Sequence, residues 1–97
     1  MQNLKFEWDS KKASSNATKH QITFEEAQTV FLDSNALLIP DPEHSSTEQR
    51  FIIMGLSTEN RALVVVHCFR KEKSVIRIIS ARKAGTKEQK PYWENIS

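Results

Sequence analysis

The chain has 97 residues, 38% hydrophobic and 27% charged, with two Gly and three Pro. That length suits one domain over residues 1–97 with a thin core, and the composition excludes a disordered or fibrous chain. The net charge of +2 hides a polarity, because residues 1–49 carry four Lys/Arg against eight Asp/Glu and residues 50–97 carry ten against four.

In chain order, residues 4–8 (LKFEW) alternate apolar and polar and predict a short strand with Leu4, Phe6 and Trp8 on one face. Asp9 can cap a short helix over residues 10–17. A clearer helix follows Thr23, because TFEE is a capping box with Thr23 as N-cap and Glu26 three residues on. Phe24, Ala27, Val30 and Phe31 then give it one apolar face, to about residue 32 or 33.

Residues 36–39 form a brief apolar run stopped by Pro40, followed by a polar loop over residues 40–49. Residues 50–56, 61–69 and 75–81 read as strands joined by the turns STEN and KEKS. Short links between consecutive strands predict an antiparallel meander. A second capping box, Thr86 to Gln89, opens a C-terminal helix, but Pro91 would clash in its interior. That helix must be short, kinked or start late. Two N-terminal helices and a short C-terminal one against an antiparallel sheet make the class α+β.

Cys68 is the lone cysteine and cannot make an internal disulfide, so a reducing compartment is expected. No 18-residue apolar stretch is present, and the start MQNLKFEWDSKK has no apolar core of a secretory signal. A cytoplasmic location without membrane contact is the expectation.

A set of residues in fixed order carries a resemblance. FEWD at 6–9, Lys12, Asn16, the pair Lys19-His20, Phe24, Glu25, Ala27, Phe31 and Asp33 come first; Arg50-Phe51, Gly55 and Arg61 follow; RIISARKA at 77–84, Glu88 and Tyr92 close it. Over residues 6–92 the chain resembles the BrnT family. The resemblance implies a RelE-like twisted antiparallel sheet with helices beside it. It implies RNA cleavage that arrests translation, and a BrnA-like ribbon–helix–helix antitoxin that neutralises the toxin in a heteromeric complex and represses the shared operon with it. The sequence departs from the family pattern at Gln21, where members often have Gly after the Lys-His pair, and in the long polar stretch 34–49.

Metal-independent RNA cleavage needs a base for the 2′-hydroxyl, an acid for the leaving 5′-oxygen, and stabilisation of charge at phosphorus. Histidine suits the first two near neutral pH, and arginine's planar fork suits the phosphate. Arg77 and Arg82 are the expected phosphate ligands, with His67 or His20 moving protons and Lys19 assisting. Arg61, Arg70, Ser80 and Tyr92 are expected substrate contacts, Tyr92 by stacking on a base. Each has a plainer reading: His67 as a semi-buried histidine on the face of Leu63, Val65 and Phe69, Lys19-His20 as a helix-end pair, Tyr92 and Trp93 as anchors of the last helix, the arginines as solvated charges. Whether His67 shares a face with Arg77 depends on strand register. Alternation places Ser80 and Arg82 on the parity opposite to Arg77. His44 in the polar loop is a weak candidate.

No metal or other cofactor is expected, because one Cys and three scattered His show no ligand spacing and no phosphate loop of the GxxxxGK type occurs. No helix carries the basic run of a DNA-reading helix, so contact with DNA is expected only through the antitoxin. The alternative function is a non-catalytic, antitoxin-binding or regulatory module, which needs no exposed Arg and His cluster.

Overall fold

The computed structural model describes residues 4–41, 48–72 and 74–96. The elements run β1 (Lys5–Glu7), α1 (Ser10–His20), α2 (Phe24–Gln28), a 3₁₀ turn (Thr29–Leu32), β2 (Leu37–Pro40), β3 (Arg50–Leu56), β4 (Ala62–Arg70), β5 (Val75–Lys83) and α3 (Lys90–Ile96). The five strands form one sheet in the order β1-β5-β4-β3-β2. Strands β2 to β5 pair antiparallel, as the short turns require, and β1 joins the outer edge of β5 in parallel. The α+β expectation holds, with one parallel pair making the sheet mixed.

Local sequence explains the helix ends. Asp9 accepts from the backbone N–H groups of Lys11 (2.8 Å) and Lys12 (3.1 Å), so α1 starts at Ser10. It runs three residues beyond the expected end, to His20, and stops at Gln21, whose φ of 61° is left-handed. Glycine is the residue without a steric cost in that conformation. Thr23 caps α2 through Glu26 N–H (3.1 Å). The reciprocal half of that capping box is missing, because the Glu26 carboxylate turns to Ser57 Oγ (2.7 Å) and Arg61 instead. Pro91 sits in the first turn of α3, where its missing N–H costs nothing, so the helix begins at Lys90 rather than after Thr86.

Two apolar layers flank the sheet. On one face, Ile22, Phe24, Ala27 and Val30 pack against Ile53, Leu63, Val65, Ile78 and Ala81, with Phe6 and Trp8 of the β1 region against them. Phe24 is fully buried, which stabilises the fold by about 1.5–3 kcal/mol. On the other face, Tyr92 of α3 packs with Met54, Val64 and Ala84. The Tyr92 hydroxyl donates to Asp33 Oδ2 at 2.5 Å, and the same oxygen accepts from Leu56 N–H at 2.8 Å. Asp33 thus ties the 3₁₀ turn, the end of β3 and α3 together.

Candidate active site

Strand β5 carries a bulge. Val66 pairs with Ser80 and His67 with Ile78, so Ile79 has no partner across the ladder. Residues directly opposed in an antiparallel pair point to the same side, and residues along a strand alternate. Arg77 opposite Cys68, Ser80 opposite Val66 and Arg82 opposite Val64 therefore share the face opposite to the one that Ile78 and Ala81 give to the core. The extra residue corrects the parity that sequence alternation assigns to Arg77 against Ser80 and Arg82. The β4 partners of the two arginines are four residues apart, so Arg77 and Arg82 are separated by about 13 Å along the strand, with Ser80 between them.

His67 lies on the opposite face, opposed to Phe51 and Ile78, and has no exposed surface. Phe31 meets its ring edge-on at 4.8 Å and Phe69 at 5.4 Å, while Phe51 stacks at 6.1 Å. Its Nδ1 donates to Val65 O at 3.2 Å and its Nε2 has no partner among the described residues. Burial pushes its pKa down, the Val65 carbonyl opposing this. His67 and Arg77 therefore cannot frame one phosphate, and His67 is not placed to exchange a proton with a substrate. His44 lies outside the described residues.

The outer edge of β5 is covered by β1 only as far as Arg77. Beyond it, Asn16 of α1 takes the place of a pairing strand. Its amide donates to Ala81 O (2.8 Å) and Ile22 O (3.0 Å), and its carbonyl accepts from Ala81 N–H (3.1 Å). Beside this contact lies a cleft of about 200 Å³ lined by Lys12, Ser15, Asn16, Lys19, His20, Ile79 and Ser80. The fold thus brings Lys19 and His20 to Ser80. Lys12 and Ser15 were missed in the sequence reading; the helical spacing 12, 15, 19 across a known α1 is the signal that could have found them.

The arginines are all engaged. Arg77 donates to Glu7 Oε2 at 2.7 Å, a contact set by the parallel register that opposes the two residues. Arg82 donates to both Glu88 oxygens at 2.8 Å, and Glu88 also accepts from Gly85 N–H at 2.9 Å. The Arg82 hydrogen bonds hold Glu88 below the usual carboxylate range against the opposing effect of burial. Arg70 pairs with Glu48 at 3.3 Å. Arg61 is bound by both oxygens of Glu26 and reaches Gln21 O, so it fastens the β3–β4 turn to α2 and is spent structurally. Tyr92 is buried and cannot stack on a base; burial, then the Asp33 carboxylate, push its pKa up to about 12. By contrast, Lys12 and Lys19 form no ion pair among the described residues, although Asp9 lies near enough to Lys12 to feel its charge.

Among the described residues no three His, Cys, Asp or Glu side chains converge as a metal-holding group, and no helix is long and apolar enough to cross a membrane.

Three helices on a five-stranded mixed sheet define a small α+β protein. A crystal structure of the Brucella abortus ribonuclease toxin BrnT shares this fold, covering 87% of this chain and 100% of that chain with a TM-score of 0.67 at 20% identity. The family model described as "Ribonuclease toxin, BrnT, of type II toxin-antitoxin system" matches residues 8–88. The chain belongs to the BrnT family. No curated protein sequence matches it. Membership of a type II system implies an antitoxin partner and an RNA substrate.

Proposed function

We propose that the chain is a metal-independent endoribonuclease, one domain over residues 1–97, that inhibits translation in the cytoplasm. Its antitoxin is a BrnA-like ribbon–helix–helix protein, and the two co-repress their operon, the toxin touching DNA only through its partner. The observation that carries the enzymatic reading is the bulge at Ile79, which places Ser80 between Arg77 and Arg82 on one face while α1 brings Lys19 and His20 to the same point.

The scissile phosphate lies over Ser80, flanked by Arg77 and Arg82. Each guanidinium already grips a carboxylate, so an incoming phosphate exchanges with Glu7 or Glu88 and makes the same charge-assisted contact. The 2′-oxygen attacks phosphorus, the bond to the 5′-oxygen breaks, and a 2′,3′-cyclic phosphate and a free 5′-hydroxyl result. His20 handles one of the two protons and Lys19 or water the other. Arg70 lies farther along β4 as a contact for flanking phosphates.

The pairing of all four of Arg61, Arg70, Arg77 and Arg82 with carboxylates is what the alternative, a non-catalytic antitoxin-binding module, would also display. Purified protein incubated with RNA in EDTA separates the two. Cleavage is expected, and Arg77→Ala, Arg82→Ala and His20→Ala should each lower turnover, the arginines by about 10²–10³-fold, with the fold intact. Full activity in all three folded variants would remove this site. Cleavage abolished by EDTA and restored by a divalent ion on an unstructured RNA would remove the metal-independent mechanism.

A further inference from the structure

We infer that the face of α1 bearing Lys12, Ser15 and Lys19 is a binding rail for the backbone of single-stranded RNA, extending from the cleavage point at Ser80. This rests on the proposed ribonuclease reading and adds the form of the substrate and where its flanking phosphates lie.

The first observation is geometric. Positions 12, 15 and 19 are three and four residues apart and line one wall of the cleft, with Ile79 and Ser80 on the other. Lys12 and Lys19 are separated by about 10 Å along the helix axis, at 1.5 Å per residue, a span suited to an extended strand. The bulged Ile79 supplies an apolar surface beside them, against which a ribose or base can rest.

The second observation is electrostatic. Arg61, Arg70, Arg77 and Arg82 each have a carboxylate partner. Lys12 and Lys19 form no ion pair among the described residues, and Lys19, Lys12 and Ser15 are exposed. Beside the cleft, Lys12 and Lys19 are thus cations that a polyanion meets without first displacing a carboxylate. Asp9, at the start of the same helix, has its carboxylate turned into the helix N-terminus, accepting from Lys11 and Lys12 N–H. Helix α1 is also firmly mounted, because Asn16 bonds to Ala81 from both ends of its amide. A rail so fixed loses little freedom on binding.

The test measures binding apart from cleavage. A single-stranded 2′-O-methyl oligonucleotide, which has no free 2′-hydroxyl to attack, is titrated into wild type, Lys12→Gln, Lys12→Arg, Ser15→Ala and Lys11→Gln at several salt concentrations. For single strands the slope of log K against log salt scales with about 0.7 per neutralised phosphate. Lys12→Gln should reduce the slope by about 0.7 and Lys12→Arg should restore it; Ser15→Ala should weaken binding with the slope unchanged. Lys11→Gln, one position off the row, should match wild type. Equal slopes for wild type and Lys12→Gln, or an equal loss from Lys11→Gln, overturn the rail. So does a Lys12→Gln variant that keeps its RNA slope but loses antitoxin affinity, which would make this face a protein-docking surface. Cleavage of unmodified RNA, measured in parallel, reports on the enzymatic reading separately. A wild type that binds through Lys12 but does not cut keeps the rail and loses the enzyme, and one that cuts without needing Lys12 does the reverse.

Discussion

Arg77 and Arg82 stand on the same face of β5, although five positions separate them and an unbroken strand would turn them to opposite faces. Ile79 absorbs the difference as the unpaired residue of a bulge. The same bulge keeps Ile78 and Ala81, three positions apart, both in the helix-covered core. Deleting Ile79 forces one half of β5 to turn over, which exposes core residues or buries an arginine. The expected result is loss of cooperative thermal unfolding near the wild-type midpoint, whereas Ile79→Val keeps it. A deletion variant with a wild-type midpoint would show that the bulge is dispensable.

Asn16 is buried and makes three hydrogen bonds across α1, Ile22 and β5. Asn16→Ala leaves the Ala81 N–H and two carbonyls without that partner. It should cost about 2–4 kcal/mol in urea unfolding, since stranded buried groups cost about 1–3 kcal/mol each and water recovers part. A loss under 0.5 kcal/mol would mean that the edge of β5 is satisfied some other way.

Gln21 ends α1 at φ 61°. Gln21→Gly should raise stability by about 0.5–1 kcal/mol, because glycine has no Cβ clash in the left-handed region. Thermal and urea midpoints should both rise. A fall in both would place the side chain's contribution above its backbone cost.

Arg61 and Arg82 should separate structure from catalysis. Arg61 binds Glu26, which its hydrogen bonds hold below the usual carboxylate range. The guanidinium is partly exposed, so Arg61→Ala should lower the urea midpoint only modestly, with RNA cleavage per folded molecule unchanged. Arg82→Ala should do the opposite, sparing the melting temperature more than turnover. Equal turnover in both would erase the distinction.

His67 gives a pH dependence of known sign. Its folded pKa is depressed below the ordinary 6.5 by burial. The unfolded chain therefore binds a proton that the folded chain refuses, and stability is full above about pH 6.5 and falls as pH drops below it, by at most about 1.4 kcal/mol per pH unit. Asp33, Glu26 and Glu88 also have lowered values, but from carboxylate references near 4, so they act at lower pH. Urea unfolding between about pH 5 and 6.5 should show the slope in wild type and lose it in His67→Leu. An unchanged slope in His67→Leu would assign the dependence to another group.

The elements and the class are legible in local stretches of sequence. Caps at Asp9 and Thr23, alternation over residues 4–8, and the turns STEN and KEKS are local signals, readable because each depends on neighbours a few residues away. The ordered residues from FEWD to Tyr92 were enough for the family. Which side chains meet follows instead from the pairing of distant segments. No glycine or proline marks Ile79 as a bulge, and the parity of Arg77, Ser80 and Arg82 follows from register with β4, a pairing between distant segments. The same register put His67 among three phenylalanines instead of beside Arg77. The parallel edge pairing of β1 and the turn of Glu26 from its own cap to Arg61 are likewise choices between long-range partners. Local propensity fixes what a segment becomes; the face it presents is set by the packing of segments far apart in the chain.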